Sequence, residues 1–195
     1  MAEIWSAESG FGGHLLPVGD GPPGVVLTPR DKLDMAVVMV RPGKGAALAA
    51  KAAQLWAIAL PCSPRRIEAG GLAFAGLAPG QWLVSREGGG LALLLAGELA
   101  GLASVSDQSD GRAVLRVAGR DARAVLQKSL PVDLHPAVFG AGSVAATVMG
   151  LVSVVVWQVE DDAFEIAVPR SMAGDVAHLL LKDAAAFGVE ISHAA

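Results

Sequence analysis

The chain has 195 residues, a formal net charge of −4, 17% charged residues and 53% hydrophobic ones. That balance excludes a basic nucleic-acid-binding stripe, and the charged fraction falls below the roughly 25% of an average soluble protein. A single cysteine, Cys62 in PCSP, permits no internal disulfide and fits a reducing compartment.

A mean hydropathy of +0.50 raises the question of a membrane span. A spanning helix needs about 20 mostly apolar residues in a row. The run 47–60, ALAAKAAQLWAIAL, is broken by Lys51 and Gln54 and followed by Pro61 and Pro64. The run 90–105 contains Glu98 and several glycines. MAEIWSAESG lacks the basic stretch and apolar run of a signal peptide. The sequence therefore predicts a soluble, cytoplasmic protein. A soluble chain this apolar exposes hydrophobic patches as a monomer, and such patches mark association surfaces. Composition thus predicts a subunit.

Residues 1–32 are dense in glycine and proline and predict an irregular N-terminal arm. A single α+β domain is expected over 33–195, in two halves, 33–107 and 108–195. DMAVVMV (34–40) reads as a buried strand. Leu48, Ala52, Leu55, Trp56 and Ala59 define one helix face, closed by Pro61 and Pro64. RRIEAGGLAFAGLAPGQWLVS predicts a hairpin with turns at Gly70-Gly71 and Pro79-Gly80. A helix carrying Leu91, Leu94, Leu95 and Leu99 follows, then the strand ASVSD.

The second half starts after a polar knot, Asp107-Gln108-Ser109-Asp110-Gly111. RAVLRVA is a strand, and Ala122, Val125 and Leu126 mark a short helix started by Asp121. A second knot, PVDLHP, forms a loop. SVAATVM and LVSVVVWQV predict a strand pair around Gly150. FEIAV alternates, with Phe164, Ile166 and Val168 facing one way. Ser171 is placed to cap a last helix with the face Met172, Val176, Leu179, Leu180 and Phe187. The two halves repeat an arrangement of strands and helices. That arrangement predicts a pseudo-duplicated split-βαβ fold, with helices on one side of antiparallel-rich, ferredoxin-like sheets.

Chemistry-bearing patterns are sparse. His14, His135, His178 and His193 show no ligand pairing. DQSDG has its glycine at the fifth position and no acid at the twelfth, unlike a calcium loop. GGHLLPVGDG and GGGLALLL lack the spacing of nucleotide-binding loops. Ser106, Ser109 and Ser153 lack a nucleophile-elbow context. Asp133 and His135 form either a proton relay or a hydrogen-bonded loop pin. In the first knot, Asp and Ser side chains suit backbone turns and Gly111 suits unusual torsions. Arg112 and Arg116 share a strand face at period two, available to Asp107, Asp110 or a partner's carboxylates.

The run SVSDQSDGRAVLRVAGRDARAVLQKSLPVDLHPAVF resembles the gamma subunit of heterotetrameric sarcosine oxidase. DQSDGR, the ARAVLQK helix, DLHP followed by Phe139, LAPGQWLV upstream, and VVWQ and FEIAVPRS downstream carry the likeness. The end of the last helix, DVAHLLLKDAAAF, and the N-terminal arm depart from the family's pattern. The resemblance implies a fold related to the folate-binding domain of glycine-cleavage T-protein. It implies alpha and beta partner subunits and leaves room for a delta subunit, while composition points to neither a membrane nor a nucleic-acid partner. It places FAD, FMN, NAD and tetrahydrofolate in those partners and no cofactor in this chain. The complex it implies oxidatively demethylates sarcosine and passes the methyl carbon to tetrahydrofolate. The expected role here is an assembly subunit with no catalytic or metal-binding residue of its own. Two alternatives remain at this point. One is a small folate-binding protein with Asp107 or Asp110 on the pterin. The other is a self-assembling structural domain.

Overall fold

Apolar residues with a period of two run through both halves of the chain, and each half turns that pattern into one sheet. The structure, a computed structural model, describes residues 9–19 and 22–192. The first half runs β2 (Leu33–Val40), α1 (Gly45–Trp56), β3 (Arg66–Ala69), β4 (Leu72–Ala78), β5 (Gln81–Glu87), α2 (Leu91–Glu98) and β6 (Ala103–Asp107). The second half repeats that order as β7 (Arg112–Ala118), α3 (Ala122–Ser129), β8 (Val144–Met149), β9 (Val152–Glu160), β10 (Ala163–Pro169), α4 (Ala173–Ala184) and β11 (Val189–Ile191). Both are strand-helix-three strands-helix-strand.

The first sheet has the order β3-β4-β5-β2-β6. The second has β8-β9-β10-β7, then β1 (Val25–Pro29), then β11. Strand β1 thus occupies the place beside β7 that β6 holds beside β2. It pairs antiparallel with β7 and parallel with β11, and pushes β11 one position outward. All other pairings are antiparallel.

Alternation sends the two faces of each sheet to different cores. Ala36, Val38, Phe74, Trp82 and Val84 pack under α1 and α2. Leu115, Val117, Val156, Phe164, Ile166 and Val168 pack under α3 and α4. The opposite faces meet each other through Met35, Ala75 and Leu83 from the first sheet and Val114, Val144, Val155, Trp157 and Ala167 from the second. The layers run helix, sheet, sheet, helix, so the fold is α+β with helices on one side of each antiparallel-rich sheet. Among the described residues, no helix is long and apolar enough to cross a membrane.

Several local expectations are corrected. The segment 1–32 is not irregular throughout: Val25–Pro29 is strand β1, and Phe11 is fully buried in the second core. Its glycine and proline residues flank that strand and hid it. Trp5 lies outside the described residues. Helix α1 stops at Trp56, three residues before Ala59. Ala57 takes a left-handed conformation (φ 55°) and its N–H bonds Ala53 O, which drops Ile58 into the core. Leu55 and Ala59 consequently face solvent. Ser171 does not cap α4; it lies in a one-turn 3-10 helix, Arg170–Met172, and the helix proper starts at Ala173. Met172 and Phe187 lie beyond the two ends of α4, whose buried face is Ala173, Val176, Ala177, Leu180 and Ala184.

If β1 is an integral strand, Leu27→Ala (1% exposed) should lower stability by about 2–5 kcal/mol in a urea melt. A loss under about 1 kcal/mol would show that the strand is only loosely attached.

Candidate functional site

A charged residue in a strand covered on both sides must find a partner or stay neutral. Glu165 is such a residue, 3% exposed on the inner face of β10. Arg30, in the β1–β2 link, donates from Nη1 to Glu165 Oε1 at 2.5 Å and from Nη2 to Glu87 Oε1 at 2.8 Å. The indole N–H of Trp157 donates to Glu165 Oε2 at 3.0 Å. Both oxygens of the carboxylate are therefore engaged, and one arginine ties the end of β5 to the middle of β10.

This cluster closes a cleft of about 490 Å³ between the sheets, lined also by Arg66, Glu68 and Arg86. Arg66 pairs with Glu68 at 2.6 Å and lies 6.0 Å from the Trp157 ring. Arg86 donates to Gly89 O at 3.2 Å. The charges here bind one another, an arrangement that locks two sheets together. The sequence reading missed Arg30 and Glu165. The signal for Glu165 is a carboxylate at the centre of the alternating FEIAV strand; Arg30 was assigned to an irregular arm.

The two polar knots sit at different places and bind different elements. In the first, Asp107 Oδ1 accepts from the Ser109 N–H at 3.0 Å and the Ser109 hydroxyl at 2.8 Å. These bonds hold the Asp107 carboxyl below its ordinary range, the backbone N–H being the larger cause. Ser109 Oγ accepts from Met35 N at 3.2 Å, and Gln108 N donates to Met35 O at 2.8 Å. The knot thus fastens the β6–β7 link to β2. Asp110 is exposed. In the second, Asp133 Oδ1 accepts from the His135 backbone N–H at 2.8 Å, and His135 Nδ1 accepts from Ala137 N at 3.2 Å. Both side chains pin the loop after α3. His178 and Cys62 are exposed, and His193 lies outside the described residues. No group of three His, Cys, Asp or Glu side chains able to hold a metal is found among the described residues.

The family model for sarcosine oxidase, gamma subunit, matches residues 42–187. The chain belongs to the sarcosine oxidase gamma subunit family. Sarcosine oxidase subunit gamma of Arthrobacter sp. is 37% identical over 102 residues, 51% of this chain and 50% of that relative. The match thus spans about half the relative's length. A chain of the heterotetrameric sarcosine oxidase from Corynebacterium sp. U-96, in complex with pyrrole 2-carboxylate, superposes with a TM-score of 0.77. It is 27% identical, with 88% of each chain covered. The glycine cleavage system aminomethyltransferase T from Bartonella henselae shares the fold, with a TM-score of 0.66. That likeness covers 87% of this chain and 48% of the other at 17% identity.

The motifs that carry the gamma-subunit likeness each meet a hydrogen-bonding need of the fold. DQSDGR supplies the Asp107–Ser109 corner. In ARAVLQK, Arg123 donates to Leu134 O, to Phe139 O at 3.3 Å and to Asp161 O at 2.9 Å, and covers the Phe164 ring at 5.0 Å. In LAPGQWLV, the Trp82 indole donates to Pro61 O at 2.8 Å inside the first core. In VVWQ, Trp157 binds Glu165, and Gln158 Nε2 bridges Glu160 O and Asp161 O at 2.9 and 3.0 Å. Arg112 Nε and Gln158 Oε1 are buried without a partner among the described residues.

Arg30→Met should strand the Glu165 carboxylate and cost about 3–5 kcal/mol of unfolding free energy. The double variant Arg30→Met/Glu165→Leu should recover most of that loss in the same urea melts. A single-variant cost below about 1 kcal/mol would show that the cluster does not hold the sheets.

Proposed function

We propose that this chain is an assembly subunit, without an active site of its own, of a cytoplasmic heterotetrameric sarcosine oxidase-type complex. Its partners are the alpha and beta subunits, with a delta subunit completing the set. FAD, FMN, NAD and tetrahydrofolate reside in those partners. The complex oxidatively demethylates sarcosine and transfers the methyl carbon to tetrahydrofolate.

The observation that carries this reading is the use to which the family motifs are put. Asp107, Ser109, Arg123, Asp133, His135 and Trp82 point their polar atoms at backbone groups or at each other, and Trp157 points its indole N–H at Glu165. The charged cleft is likewise closed on itself through Arg30. Such groups position a fold; they are not arranged as an acid, base and nucleophile facing a common point. In the folate reading Asp107 or Asp110 holds the pterin; the Asp107 Oδ1 already accepts two bonds from Ser109, which leaves the exposed Asp110 to carry that reading.

Co-expression with the large subunits encoded beside it should yield one purified complex that retains this chain. Calorimetric titration of the isolated chain with tetrahydrofolate should give no micromolar binding. A stable chain that never co-purifies with those subunits would contradict the assembly role. A micromolar folate site abolished by Asp107→Ala and Asp110→Ala would replace it with the folate-binding reading.

A further inference from the structure

Strand β7 puts Arg112, Val114 and Arg116 on its inner face, with Val114 buried in the seam between the sheets. Arg116 meets Glu160 at 3.1 Å. Arg112 meets no side-chain partner among the described residues, and its Nε is completely buried. Burial pulls this guanidinium below its ordinary pKa, with no neighbouring carboxylate opposing the shift. A half-desolvated cation without an anion is an unfavourable arrangement that an arriving carboxylate reverses.

Arg112 lines an open cleft of about 490 Å³ at the opposite end of the seam from Arg30. Leu77, Gln81, Val148, Ser153 and Val155 also line it, and no acidic residue among the described ones does. Along β8, Val144 is buried beneath the first sheet, but Ala146 and Val148 are exposed on the same face. Met39 stands beside Gln81 on the inner face of the first sheet and is 50% exposed.

We propose that this cleft receives an acidic segment of a partner subunit, which lies across the exposed apolar residues of β8 and sets a carboxylate against Arg112. An uncovered apolar floor and one unpaired cation are together what such a segment requires. The proposal rests on the assembly reading above.

The test uses the complex purified by co-expression with the large subunits. Arg112→Met should weaken retention of the chain by at least about tenfold while leaving the thermal midpoint of the isolated chain equal or higher. Arg120→Ala, at an exposed ion pair with Asp121, should leave retention unchanged. A photoreactive amino acid at Ser153 should cross-link to an Asp- or Glu-bearing segment of a large subunit. Changing that acid to Lys should weaken assembly, and Arg112→Glu should then restore it. Retention of Arg112→Met within about twofold of an assembling wild type would overturn the proposal alone. So would cross-links only to residues 1–8 of this chain or to a second copy of it. A wild-type chain that does not assemble at all would overturn the proposal together with the assembly reading.

Discussion

Two sheets that carry helices on their outer faces can bury their inner faces only against each other, and every polar group caught between them must then be answered there. The seam around Met35, Leu83, Val114, Val155 and Trp157 is that place. Its apolar centre supplies the bulk of the contact, and its ends decide how the polar remainder is handled. At one end Arg30 reaches across to Glu87 and Glu165, so the second sheet is fixed on the first by a bond that a shift in register would break. At the other end Arg112 is left unanswered among the described residues, beside apolar positions that the first sheet does not reach.

The seam also explains what could be read from the residues and what could not. Within each half, local signals suffice: FEIAV alternates because one face is a core, and Gly70-Gly71 and Pro79-Gly80 mark turns that the chain takes. Helix faces at Leu91 and Leu95 and at Val125 and Leu126 follow from spacing alone. Strand β1 was invisible because its reason for being a strand is distant: a slot between β7 and β11, with Gly24 and Gly119 in close contact. Gly119 has φ 120°, and a Cβ on it would sit 2.4 Å from Gly24 O. The early end of α1 was hidden for the same reason, since Ile58 turns inward toward a core that the local pattern does not show. The knots were legible as turns from their Asp, Ser and Gly content, but their attachments to Met35 and to the α3 loop were not.

Leu16, Leu93, Val138 and Leu151 are exposed singly, which is ordinary for a soluble surface. What distinguishes the chain is the coincidence of exposed apolar positions and a cation unpaired among the described residues at one end of the seam. The chain belongs to the gamma subunit family, and the proposed assembly role puts that surface against a partner. The residues that carry the likeness make their hydrogen bonds within this chain.

Cryo-electron microscopy of the co-expressed complex tests this account most directly. The account predicts partner density over Ala146, Val148 and Met39, with a carboxylate against Arg112, and leaves the Arg30–Glu87–Glu165 end closed on itself. A complex in which the Arg112 cleft opens to solvent and a ligand or partner separates Arg30 from Glu165 would contradict it.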